Sequence, residues 1–303
     1  MTPPPWVERA LAGAVAVARA GPPDAAALAD VLYSRWHAAF EAAPAAAGDM
    51  LPPGPPDLME LLHRAHAGSR RWERDWVVAA TTPQAVVTVV RAGQMRRLSP
   101  PDYVNQVRPG VPPAPGEAVA VVDRDDWLDP SGWWASASAR HGFPAGPCVR
   151  VYVSARATAA AETIAALTAA LDGAGVPWGL KAPPRADGYG RRDAVVANVA
   201  RTDWPRLAPA LVTAHGELAP LLGPEGPPLA KPLLPGLSVA EDPGAGRSYG
   251  EVRCALLADA LVAGALAAPD PVAALARALE AAGVDPARPH LLDDAGAGDP
   301  YEL

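Results

Sequence analysis

Apolar positions recur at helical spacing near the start of the chain. Leu28, Val31, Leu32, Trp36 and Phe40 fall on one face of a segment spanning 24–43. The Ala-rich stretch 6–19 also reads as a helix. Pro22-Pro23-Asp24 separates the two as a helix-start signal, because proline and aspartate suit a first turn. Residues 44–56, rich in Ala, Pro and Gly, read as a loop, and 57–66 as a short helix. The period then shortens. Runs 76–80 and 85–90 are rich in β-branched residues and flank Thr-Thr-Pro, which predicts an antiparallel pair, with a further strand at 118–122. The tract 127–143 contains Trp133-Trp134 without a clear period, and its tryptophans are expected to pack.

After Cys148 the pattern sharpens. Strands are expected at 149–154, 177–182 and 194–199, with helices at 159–173 and 204–215. Residues 229–231 read as a short extended piece, followed by a Pro- and Gly-rich loop to 246, a long apolar helix at 249–267 and another helix at 271–282. This order predicts an α+β fold: a helical N-terminal region followed by a mixed, mainly antiparallel sheet with helices packed on it. Two parts are expected: 1–145, helical and β, free for partner or peptide binding, and 146–303, an α+β domain carrying the chemistry.

Length and charge narrow the classes. A chain of 303 residues holds one large domain or two small ones. A net charge of −7 argues against a general nucleic-acid binder. The two cysteines, Cys148 and Cys254, stand far apart with no CxxC, so neither a disulfide framework nor a metal site is expected and a reducing compartment fits. The start of the chain lacks a signal-peptide pattern, and no apolar run reaches the ~20 residues of a membrane span. The expectation is a cytoplasmic protein with no membrane partner.

Lys and Arg together number 26, yet only Lys181 and Lys231 are lysine. Arginine is effectively never deprotonated, whereas a buried lysine can lose its proton and act as a base. The plain alternative is two surface lysines. Lys181 ends one expected strand and Arg191 precedes the next. If the strands pair, both face one pocket, where the guanidinium depresses the lysine pKa.

Gly246-Arg247-Ser248-Tyr249-Gly250 spells GxSxG, the nucleophile elbow of α/β hydrolases, and His290 with Asp270 or Asp285 follows in hydrolase order. That elbow needs a buried strand before it, and here a polar turn precedes. Ser248 with Glu251 also reads as a capping box opening the long helix. Gly244, Gly246 and Gly250, with Arg247 and Arg253, suggest an anion site at the same helix start. His63 and His66 sit one turn apart without further zinc ligands nearby in the sequence. His37, His141, His215 and His290 are isolated, and none stands out.

Several runs occur in a familiar order: Val149-Arg-Val-Tyr152, Val176-Pro-Trp-Gly-Leu-Lys181, Tyr189-Gly-Arg191-Arg-Asp193, Ala230-Lys231-Pro-Leu-Leu-Pro-Gly236, and Ala240-Glu241-Asp242-Pro243 leading to Ser248-Tyr249-Gly250 and Arg253-Cys254. Together they resemble the HopA-type effector family, which includes bacterial type III effectors and the lyase components of class V lanthipeptide and thioamitide biosynthesis. The chain departs from the pattern at Ser154, at Pro228–Ala230 and at Tyr249. For the biosynthetic members the resemblance implies a lyase. It eliminates phosphate from phosphoserine or phosphothreonine in a precursor peptide, leaving dehydroalanine or dehydrobutyrine. It also implies a complex with a kinase-like protein of the aminoglycoside-phosphotransferase type. On that reading Lys181 is the base and Lys231 supports the developing enolate. Arg191, Arg253, Arg247 and Ser248 bind the phosphate. Tyr152 or His141 protonates the leaving oxygen, and Tyr189, Glu241 and Asp242 contact the peptide. Neither cofactor nor metal is required. The rival readings are a non-catalytic module that holds a phosphopeptide or kinase in the manner of an effector and, third, a serine hydrolase.

Overall fold

The structure is a computed structural model that describes residues 3–39, 58–66, 71–100, 102–123, 126–129, 131–244, 246–292 and 298–303. The expected loop at 44–56 and the end of the second helix, including Phe40, lie outside the described residues. The chain forms two compact units, one of Met1–Ala67 with Leu128–Leu303 and one of Gly68–Trp127. The expected boundary at 145/146 does not coincide with this division, because the N-terminal helices belong to the same unit as the C-terminal sheet.

The smaller unit is an antiparallel sheet. Strands β1 (Arg71–Thr81), β2 (Val87–Arg91), β3 (Gln94–Leu98), β4 (Tyr103–Asn105) and β5 (Ala118–Asp123) run in the order β3-β2-β1-β5-β4. Alternate side chains, among them Trp76, Val78, Val87, Val89 and Val121, bury one face. The pair β1–β2 follows the predicted hairpin. Strand β3 escaped prediction because its Arg-rich pattern suits an exposed edge. It is reached through Ala92-Gly93, both at positive φ (47° and 81°), the geometry of a tight hairpin turn.

A short strand β6 (Asp126–Leu128) follows where the chain passes from one unit to the other. The larger unit contains helices α1 (Pro5–Arg19), α2 (Ala25–Val31) and α3 (Leu58–Ala65), then β7 (Trp134–Ala137), β8 (Cys148–Val153), α4 (Ala160–Gly173), β9 (Trp178–Ala182), β10 (Val195–Ala200), α5 (Trp204–Leu218), β11 (Lys231–Leu234), β12 (Leu237–Glu241), α6 (Tyr249–Val262) and α7 (Pro271–Ala281). Its strands lie in the order β11-β12-β8-β10-β9-β7, with antiparallel pairing. The helical N-terminal region and the mainly antiparallel sheet match the predicted α+β class.

Register decides which side chains share a face. Lys181, Val196, Tyr152 and Ser238 are successive cross-strand partners, so all four point to one face. The adjacent row, Leu180, Ala197, Val151, Val239 and Lys231, points to the other. On this second face Val149, Val151, Val195 and Ala197 pack against Ile164 and Leu167 of α4 and Leu207 and Leu211 of α5. On the first, Tyr152, Val196 and Ala240 pack with Leu11 of α1, Leu32, Leu257 of α6 and Leu275 of α7. The central strands read as continuous apolar runs because helices cover both faces.

Three local departures matter. The second helix does not stay α-helical: α2 passes into a π-helical turn, Leu32–His37, closed by the Ala38 amide donating to Tyr33 O at 2.9 Å. The expected 249–267 helix stops at Val262, with Gly264 at φ 124° ending it. The stretch read as a loop after 231 holds the hairpin β11–β12, which turns through Gly236 at φ 77°. Pro232 masked it, since a proline inside a strand suits only an edge, where β11 lies.

Candidate functional site

Three layers of the larger unit meet at a small recess. Its floor is the sheet row carrying Tyr152, Val196 and Lys181, and Arg150 lines it too. Tyr33 and His37 from the π-helical turn, Trp133, Asp193 and Ser248 complete it. The π turn brings two rings onto the same side. Tyr33 stacks on His37 with centroids 5.5 Å apart, and His37 meets Tyr152 edge-on at 6.2 Å. Gly250 lets this turn sit against the start of α6: a Cβ there would lie 2.4 Å from His37 Nε2 and 2.9 Å from Tyr33 Cε2.

Trp133 is a platform for cations. Lys181 Nζ lies 4.8 Å and Arg191 Cζ 5.0 Å from its ring centre. The paired strands β9 and β10 thus bring Lys181 and Arg191 together, as their spacing suggested. Arg191 also forms a two-point ion pair with Asp193, with Nη2 2.9 Å from Oδ2, and approaches the Tyr33 hydroxyl at 3.5 Å. Arg150 donates from Nη2 to Asp242 at 3.0 Å, and its buried Nε has no partner among the described residues.

These neighbours set the protonation states. Burial, reinforced by the Arg150 and Arg191 charges, moves Lys181 below the usual lysine range, although Asp193 and Asp129 oppose it. Burial also lowers His37 to about 4. The charges of Arg191, Arg192 and Arg150 act in the same direction, and Asp193 opposes them. Burial would raise Asp193, but its hydrogen bonds and charge interaction with Arg191 outweigh this and hold it ionised. Burial raises Tyr152 strongly, so it stays protonated, and its hydroxyl has no partner among the described residues. Around the recess Lys181, Arg150 and Arg191 stand against Asp193, Asp242 and Asp129, so the two guanidiniums are already partnered and Lys181 carries the depressed amine.

Of the residues singled out in the sequence, Lys181, Tyr152 and Ser248 line this recess and Arg191 borders it through Trp133 and Asp193. Asp242 stands behind it, tethering Arg150 and accepting from the Gly244 amide at 3.0 Å. The others lie elsewhere. Lys231 is on the opposite sheet face, ion-paired with Asp299 at 2.7 Å. Arg253 is buried and donates to Pro289 O (3.0 Å) and Leu291 O (2.7 Å), so it holds the C-terminal segment and not an anion. Arg247 and His141 are exposed and outside the recess. Tyr189 is buried in the core of the opposite face. Glu241, fully buried, accepts from the Tyr301 hydroxyl (2.9 Å), Arg201 (2.7 Å) and the Leu292 amide (2.9 Å).

The hydrolase constellation does not assemble. Ser248 Oγ accepts from the Glu251 amide at 3.2 Å in a complete capping box, and no strand directly precedes it. His290 pairs with Asp299, Asp285 with Arg288, and Asp270 caps α7. The sequence reading missed Tyr33, His37, Trp133, Arg150 and Asp193. Tyr33 and His37 carried a signal in their i, i+4 spacing, and Arg150 in its alternate position to Tyr152 on one strand.

The HopA1 effector protein family matches residues 132–291, just over half of the 303-residue chain. The chain belongs to this family. Among solved structures it is similar to the effector protein from Pseudomonas syringae pv. tomato strain DC3000, at 20% identity and a TM-score of 0.42. That match covers 54% of this chain and 63% of the other. It is also similar to the effector protein from Pseudomonas syringae pv. syringae strain 61, at 20% identity and a TM-score of 0.37, with the same coverage of 54% and 63%. The chain thus spans less than two thirds of either relative's length. No curated protein matches. Among the described residues no helix is long and apolar enough to cross a membrane.

Proposed function

We propose that this protein is a phosphoserine/phosphothreonine lyase acting on a phosphorylated precursor peptide supplied by a kinase-like partner. The observation that carries the reading is the environment of Lys181: an amine depressed by burial and by Arg150, sharing the Trp133 ring with a second guanidinium at the edge of the recess. The Cα proton next to an amide is weakly acidic, so its removal needs a base kept neutral and close. Lys181 Nζ takes that proton. The Cα–H electrons form the Cα=Cβ bond, the Cβ–O bond breaks, and phosphate departs with the oxygen. The departing phosphate regains one proton, so the peptide loses the elements of phosphoric acid and gains a double bond. Arg150 and Arg191 hold the phosphate oxygens, charge-assisted contacts that strengthen as negative charge builds on the leaving group. Tyr152, kept protonated by burial, hydrogen-bonds the leaving oxygen, and the proton that the phosphate regains comes from water.

A module that only holds a phosphopeptide would need the arginines but not a lysine with a depressed pKa. The test is a trapping experiment. A phosphoserine peptide incubated with the protein and a thiol should acquire the thiol at the former phosphoserine, since dehydroalanine is electrophilic. Dephosphorylation to serine, or an unchanged peptide, would reject the lyase reading.

A further inference from the structure

Beside the recess runs a longer groove between α1, the π-helical turn and the 224–230 loop. The two spaces adjoin at three places, two of them one residue apart and the third across a strand pair. Trp36 lines the groove and His37 the recess; Arg192 and Asp193 divide in the same way; Ser238 in the groove pairs across β12 and β8 with Tyr152. The dividing wall is tied down. The Arg192 amide donates to Ala38 O at 2.8 Å and its guanidinium to Trp36 O at 3.1 Å. The far wall is fixed as well: Leu229, buried at φ 63°, accepts at its carbonyl from the Tyr249 hydroxyl at 2.8 Å. A groove with set walls binds an extended chain at lower entropic cost.

Its charge runs against that of the whole molecule. The chain carries −7, yet this groove is lined by Arg9, Arg35 and Arg192 and by one acid, Glu225. Arg192 is already paired with Glu225. Arg9 and Arg35 are exposed, and neither has an ion-pair partner among the described residues. Trp6 supplies apolar surface to the same groove.

We infer that this groove holds an acidic flank of the peptide whose phosphorylated residue occupies the recess, an inference that rests on the elimination reading above. Acidic residues flanking the phosphoserine on one side then meet Arg9 and Arg35.

Three labelled peptides with a central phosphoserine test this, with flanks rich in Glu, Ala or Lys, measured by fluorescence anisotropy and by phosphate release. An unphosphorylated Glu-flanked peptide is the fourth probe. The wild-type protein should bind the Glu-flanked phosphopeptide about tenfold more tightly than the Ala-flanked one, the scale of two exposed charge pairs. Salt near 1 M should erase the difference. Arg9→Glu combined with Arg35→Glu, both at exposed positions outside the recess, should reverse the order of Glu and Lys flanks. The milder pair Arg9→Ala and Arg35→Ala should abolish the preference without reversing it. Equal binding of all flanks, or a preference that survives both double variants, overturns the inference. Elimination without flank preference sinks the groove and leaves the lyase. A flank preference that extends to the unphosphorylated peptide, with no elimination from any peptide, supports the groove and sinks the lyase.

Discussion

Lys181 and Lys231 project from opposite faces of the same sheet. Lys181 stands in register with Val196, Tyr152 and Ser238, while Lys231 stands in register with Val239, Val151 and Ala197. The first faces Trp133 and the recess; the second holds Asp299, which also meets His290 Nε2 at 3.1 Å. The two lysines cannot share one reaction. One is assigned to chemistry and the other to anchoring the C-terminal segment.

Separate outcomes are therefore expected for the two lysines. Lys181→Ala and Lys181→Arg should each lower elimination by about 10²–10⁴-fold, the usual contribution of a general base, while the melting temperature holds. Lys231→Ala should keep wild-type turnover and lose about 1 kcal/mol of stability, because it breaks a part-buried charged contact. Steady-state phosphate release and urea unfolding of the three variants check both expectations.

Arg253 should behave as a structural residue. Arg253→Ala leaves the Pro289 and Leu291 carbonyls without their guanidinium donor in a buried setting. The cost should be about 2–4 kcal/mol. A urea midpoint that does not move, paired with a raised KM, would return Arg253 to phosphate binding.

Gly250 should tolerate nothing larger. The Cβ of Gly250→Ala meets His37 Nε2 at 2.4 Å, and the π-helical turn must move to admit it. Overpacking of this kind costs about 1–3 kcal/mol. Because the displaced rings line the recess, turnover should fall more than stability alone explains. Activity measured well below the melting point separates the two effects.

His37 should make stability depend on pH. Its folded pKa of about 4 lies below the unfolded value of about 6.5, so the unfolded chain binds the extra proton between them. The stabilisation is complete above pH 6.5 and is lost as the pH falls toward 4. Between pH 7.5 and 5 the loss should be about 2 kcal/mol. His37→Gln should flatten that dependence. Urea unfolding of both proteins at the two pH values measures it.

Where burial on both faces dictated the pattern, the fold was legible: β8, β9 and β10 read as apolar runs, and Ser248 with Glu251 announced the start of α6. The pairing of β9 with β10, and with it the meeting of Lys181 and Arg191, followed from two short neighbouring strands. The π-helical turn was not legible, because Leu28, Leu32 and Trp36 continue an ordinary helical period and the extra residue per turn leaves no mark on it. That left the i, i+4 pair Tyr33 and His37 indistinguishable from an ordinary helical pair. Arg253 misled for a related reason. It lies one turn beyond Tyr249, on the face of α6 turned inward, with its guanidinium 5.2 Å over the Tyr249 ring. A cation near a glycine-rich helix start looks the same in sequence whether it faces an anion or a buried carbonyl.

The central claim is that Lys181 removes a Cα proton so that phosphate leaves. Mass measurement of a phosphoserine peptide incubated with wild-type protein and with Lys181→Ala tests it most directly. The wild-type protein should convert the peptide to a species ~98 Da lighter, the loss of phosphoric acid, and Lys181→Ala should leave it unchanged. A peptide ~80 Da lighter, the loss that hydrolysis would produce, or the lighter product forming at the same rate with Lys181→Ala, would contradict the account.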